Sequence, residues 1–154
     1  MHEINEYMNG YVSQLKATQL WFHSAHHVAK GKGFIADHKH LYGKIYPELD
    51  DHYDQLIEKS IALSGSEDVA CPLILSKSVA HILNSKFTSP ANLSSEEIVE
   101  IALHSIINLI NSLSTLNEKF ESSGYMTLGL DDIIGTMANS YENYLYLIGQ
   151  RYKN

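Results

Sequence analysis

Apolar residues recur at near-helical spacing in four long stretches separated by glycine- and serine-containing breaks. Over residues 4–30, Tyr7, Tyr11, Leu15, Leu20, Phe22 and Val28 follow that period with no proline among them, which predicts a first helix. The GKG run at 31–33 ends it, because glycine tolerates the positive φ of a helix C-terminus. A second helix is predicted to begin near Phe34 to Asp37 and to run to Leu63, with Ile45, Leu49, Leu56, Ile57 and Ile61 as its apolar stripe. Pro47 falls inside that stripe and predicts either a kink or irregular backbone. The SGSED run at 64–68 is a stop. From Cys71 to Phe87 the period weakens; Pro72 suits the first turn of a short helix through about Ala80, and 87–91 reads as loop. Ser94 and Glu97 then have the spacing of a capping box, opening a third helix through Ile98, Ile101, Ala102, Leu109, Leu113 and Leu116 to about Ser122, with Gly124 after it. Leu130, Ile133, Ile134, Met137, Tyr141, Leu145 and Ile148 mark a fourth, from about Leu128 to Tyr152.

Four long helices with one longer connection in the middle predict an all-α four-helix bundle, with a short extra helix inside a crossover. Its 154 residues suit a single domain, 1–154. No uninterrupted apolar run reaches the ~18 residues of a membrane span, and the start MHEINEYMNG lacks the form of a secretory signal. The single cysteine, Cys71, has no internal partner and no basic neighbour to activate it, so the expected setting is cytoplasmic. A net charge of -7, with no lysine or arginine before Lys16, argues against a phosphate-neutralising arm and hence against DNA binding. Phosphate-loop, dinucleotide and nucleophile-elbow motifs are absent from the sequence.

The chemistry concentrates between His23 and Glu58, which holds six of the nine histidines. His23 and His26 lie three apart near the end of the first helix, and His38 follows the glycine turn. Asp54 and Glu58 are four apart on the second helix and share a face, with Asp51 a turn earlier. Acids at such spacing more often simply solvate an exposed face, and His2, His81 and His104 suit surface or structural roles. Imidazoles and carboxylates together, without thiolates, suit iron, manganese or zinc. Along a continuous helix His38 and Asp54 would be roughly 24 Å apart. If these four residues bind one ion, the ion therefore lies between two subunits.

Several strings resemble the Dps-type miniferritins, the DNA-protection-during-starvation branch of the ferritin-like superfamily. HSAHHVAKG resembles the family's HxxHWxxKG, whose second histidine maps onto His26; FIADH resembles its FxxxH, mapping onto His38. DQLIEKSIALSG resembles the segment that supplies two carboxylates, mapping onto Asp54 and Glu58, and LDDIIGTMANSYENYLYLI is similar to the final helix. The likeness covers nearly the whole chain. It implies a ferritin-like bundle that assembles as a homo-oligomeric shell of twelve subunits. It also implies a non-haem iron site shared between subunits, with His26, His38, Asp54 and Glu58 as both metal ligands and catalytic residues. The implied activity is ferroxidase: ferrous iron oxidised with hydrogen peroxide or oxygen and stored as ferric mineral.

The chain departs from that pattern in places. His27 stands where tryptophan is common, and Tyr42 where a further acidic ligand is often found. The span from His38 to Asp54 is one residue longer than the family spacing. A bulge near Pro47 would absorb the extra residue; otherwise His40 replaces His38 as ligand. A ferritin-like structural or binding protein with weak or lost oxidase chemistry is the alternative reading.

Overall fold

The structure, a computed structural model, describes residues 2–153. In chain order it contains α1 (Glu3–Val28), a π-helical stretch (Ala36–Tyr42), α2 (Gly43–Ser64), a 3-10 turn (Asp68–Ala70), α3 (Pro72–Lys86), α4 (Ser95–Ser123) and α5 (Leu128–Tyr152). No strand occurs among the described residues.

The helix ends follow local chemistry. Ser94 Oγ accepts from the Glu97 amide at 3.2 Å, and Thr127 Oγ1 accepts from the Leu130 amide at 3.1 Å, each satisfying a first-turn donor of the helix it opens. Gly31, at φ +82°, takes the left-handed conformation in the turn after α1. The connecting helix α3 continues to Lys86, beyond the expected Ala80. Of its residues only Val79 is buried, so its face carries too little periodicity to mark its end.

Contacts between helix ends settle the topology. Ser60 Oγ donates to Asn5 Oδ1 at 2.7 Å, placing the start of α1 beside the end of α2. Lys30 Nζ donates to the Leu93 carbonyl at 2.8 Å, and the Tyr7 and Phe120 rings meet edge to face, so α1 and α4 are antiparallel. The helices α2 and α4 therefore run parallel, and the chain must return the length of the bundle between them. The segment carrying α3 does this, packing along α1. Trp21 ties it down: the indole Nε1–H donates to the Thr88 carbonyl at 2.8 Å.

The four long helices enclose one continuous apolar core, which includes Met8, Leu15, Phe22, Ile45, Leu49, Leu56, Ile106, Leu109, Met137 and Ile148. By length and composition α4 would also suit a membrane span. That character has a source in the fold, because Ile98, Ala102, Ile106, Leu109, Leu113 and Phe120 are buried against the other helices.

Candidate metal centre

The last two turns of α1 and the π-helical stretch come together at one end of the bundle. The Nδ1–H of His26 donates to the His38 carbonyl at 2.6 Å, and the Nδ1–H of His38 donates to the His26 carbonyl at 2.6 Å. The two rings stack with centroids 3.8 Å apart and planes 14° from parallel. A carbonyl oxygen can only accept, so each Nδ1 carries a proton, and in the neutral form of either ring the free lone pair is on Nε2. A backbone carbonyl that accepts from one ring nitrogen fixes the tautomer and orientation of metal-binding histidines in this way. The His26 carbonyl belongs to the last turn of α1, where no intrahelical donor follows, and the His38 imidazole caps it.

The wide turn is what makes this reciprocity possible. The Gly43 amide reaches back five residues to the His38 carbonyl, so that oxygen accepts both from Gly43 and from His26. A π turn accommodates one residue more than an α turn. The backbone irregularity expected near Pro47 thus lies just upstream, at 36–42, while α2 continues through the proline. Pro47 lacks the amide that would reach the Gly43 carbonyl, and the break in the α register falls immediately before that gap. His38, not His40, is the residue that meets His26; His40 is exposed.

Gly43 is required by close approach. A Cβ there would lie 2.5 Å from the His38 carbonyl oxygen and 3.1 Å from His26 Nδ1. The remaining aromatic groups hold the site from outside. His23 stacks on Tyr46 at 4.0 Å, and Phe34 stacks on His38 at 5.0 Å. Burial, and then the neighbouring His27 and His26, hold the His23 imidazole below its ordinary pKa.

Asp54 and Glu58 are exposed on α2, as is Asp51. They do not join the histidines within the protomer. Among the described residues no three or more His, Cys, Asp or Glu side chains gather where they could hold an ion. Tyr42, at the position of an expected further acid, is 1% exposed and points into the core. Its hydroxyl has no hydrogen-bond partner among the described residues, and burial followed by the charge of Asp37 raises its pKa.

Two polar clusters escaped the reading of periodicity and motifs. Asp37, 2% exposed, takes a two-pronged contact from the chain's only arginine: Arg151 Nε donates to Oδ1 at 3.0 Å and an Arg151 Nη to Oδ2 at 3.1 Å. This clamps the π stretch to the end of α5. A lone arginine near the end of an otherwise lysine-bearing chain was the available signal, since its planar fork favours carboxylate pairing. Deeper in the bundle, the Tyr141 hydroxyl and His52 Nδ1 share a hydrogen bond at 2.8 Å, and His52 Nε2 faces Glu48 Oε1 at 3.6 Å. The Tyr144 hydroxyl donates to Glu48 Oε2 at 2.6 Å. Burial pushes the His52 pKa down, against the opposing effect of Glu48 and Asp51.

By sequence the chain stands apart: no known family's profile and no curated protein matches it. Its structure has clear counterparts. The helices and their order define a ferritin-like four-helix bundle. Within that class the fold is that of the Dps miniferritins. The Dps of Staphylococcus aureus superimposes with a TM-score of 0.80 at 18% identity, covering 99% of this chain and 96% of that one. The Dps of Thermosynechococcus elongatus gives 0.80 at 16%, covering 99% and 91%. The Dps of Vibrio cholerae O1, described as a member of a broad superfamily of ferritin-like diiron-carboxylate proteins, gives 0.79 at 13%, covering 98% and 89%. At these identities the likeness establishes the fold.

Proposed function

We propose that this chain forms a hollow shell, a dodecamer in the cytoplasm, that oxidises ferrous iron and stores the ferric product. The reading rests on one observation above the rest: the reciprocal Nδ1 hydrogen bonds that leave the Nε2 lone pairs of His26 and His38 free. In this reading iron is the substrate. His26 and His38 of one protomer and Asp54 and Glu58 of a partner hold it. Because those acids are exposed, a partner's α2 can bring them to the imidazoles. Exposed Phe34 and Ile35, beside His38, supply apolar surface for that partner to cover. Two ferrous ions give the two electrons that reduce one hydrogen peroxide to two hydroxides, so no hydroxyl radical is released. Imidazole and carboxylate donors hold the ion while leaving positions for the oxidant.

Replacing both Asp54 and Glu58 by alanine tests the reading. Peroxide-driven ferrous oxidation should fall to the rate of the protein-free solution while the fold and native mass persist. Oxidation at the wild-type rate would remove these acids from the site.

One observation favours a second reading, a ferritin-like structural or binding protein with weak oxidase chemistry. Tyr42 is buried where a further acid would serve, which reduces the donor set. An intact assembly whose iron oxidation no variant of the four residues alters would support it.

A further inference from the structure

We propose that His23 and His27 form a second metal site, separate from the iron centre, that takes a borderline divalent ion of the zinc, copper(II) or nickel class. The two residues are four apart on α1 and so share a helix face, the arrangement by which paired histidines on a helix chelate zinc. Their ring centroids are 4.7 Å apart. With metal–nitrogen distances of about 2.0–2.1 Å, two imidazoles on one tetrahedral ion have centroids roughly 5 Å apart. The ring separation is therefore of the size that a chelating pair needs.

Among the described histidines whose rings make no hydrogen bond, His23 and His27 are the pair that meet ring to ring, whereas His40, His81 and His104 are exposed. Rings of His2, His26, His38 and His52 are engaged in hydrogen bonds; among the described residues those of His23 and His27 are not. The flat stack on Tyr46 holds the His23 ring in place, which lowers the entropy lost on binding an ion. His27 is exposed and open to solvent. His26 lies 5.5 Å from His27 and 6.4 Å from His23, centroid to centroid, but its ring is stacked on His38 and its Nδ1–H is committed to the His38 carbonyl. Water fills the remaining positions. Imidazole donors bind copper(II), nickel and zinc ahead of ferrous iron, so the pair selects a different ion from the proposed substrate. An ion bridging one turn would also stiffen the end of α1, from which His26 projects.

The site does not rest on the iron reading, because it uses none of that reading's four residues. The test is zinc titration by calorimetry, with copper(II) as a spectroscopic probe. Four full-length forms are compared: wild type, D54A/E58A, and D54A/E58A carrying H27Q or H23Q. The D54A/E58A protein should still bind one zinc per chain. Either glutamine should weaken that binding by about tenfold or more, with helical content by circular dichroism unchanged. At one equivalent of copper(II), nitrogen hyperfine structure should report two coupled imidazoles, reduced to one by H27Q. Unchanged zinc affinity and an unchanged copper spectrum in both glutamine variants would overturn the proposal, assigning the ion to His26 and His38 or to surface histidines. Loss of zinc on removing the two acids alone would also overturn it, while supporting the intersubunit centre.

Discussion

His26 and His38 each donate a ring Nδ1–H to the other's backbone carbonyl, both at 2.6 Å. Neither bond alone would orient both rings. Together they tie the end of α1 to the π-helical stretch and set the two Nε2 atoms free at one end of the bundle. This reciprocity requires the His38 carbonyl to be approached by His26 and by the Gly43 amide at once.

That requirement makes Gly43 the sensitive backbone position. Gly43→Ala places a methyl group within 2.5 Å of the His38 carbonyl oxygen and against the His26 ring. The strain should cost about 1–3 kcal/mol in chemical denaturation. It should also reduce metal binding at His26, because the ring is the softer of the two neighbours and will move. A stability equal to wild type would show that the turn can open without cost.

The Asp37–Arg151 contact should respond unequally to its two truncations. Asp37 is 2% exposed, whereas the Arg151 side chain keeps 28% of its surface. R151M therefore strands a buried charge and should cost about 3 kcal/mol or more. D37N leaves a partly solvated guanidinium facing a neutral amide and should cost about 1–3 kcal/mol. Urea denaturation of both variants gives the order; the reverse order would mean that Asp37 reaches water when unpaired.

His52 should make stability fall in mild acid. Burial lowers its pKa in the folded protein below the ordinary 6.5. Below that value the unfolded chain takes up a proton that the folded core resists, so stability rises with pH through this window and is lost as pH falls. His23 is shifted the same way but is far less buried. Denaturation midpoints between pH 7.5 and 5 should drop for the wild type and drop less for His52→Gln, whatever the variant's stability at pH 7.5. Equal slopes would assign the acid sensitivity to other groups.

A shared centre predicts complementation. D54A/E58A and H26A/H38A proteins should each oxidise iron slowly. Dissociated, mixed and reassembled, they should regain part of the activity, because a mixed pair rebuilds one complete site and leaves one empty. No recovery from mixtures that have reassembled, by native mass, would require other ligands.

DNA should not be retained. The first fifteen residues carry no lysine or arginine and the chain's net charge is -7, so few phosphate counterions would be released on contact. A gel shift at physiological salt should show free DNA at all protein concentrations. A salt-sensitive retarded band would contradict this.

The four long helices and the crossover were legible in the sequence because their causes are local. Apolar residues at a 3.6-residue period, Ser94 at its cap position and glycine turns act within a few residues of where they stand. The histidine and carboxylate strings were legible as residue types at helical spacing. Pro47 and the one-residue excess after His38 announced an irregularity without locating it. Its place was decided by packing: the π stretch at 36–42 brings the His38 carbonyl to His26 and seats Asp37 against Arg151, whose residues are far apart in sequence. Tertiary structure likewise put His52 against Tyr141, since only the facing of α2 and α5 brings them within hydrogen-bond distance. It also left Asp54 and Glu58 on an outer face, where sequence spacing along one helix forbids them from reaching the same protomer's His38.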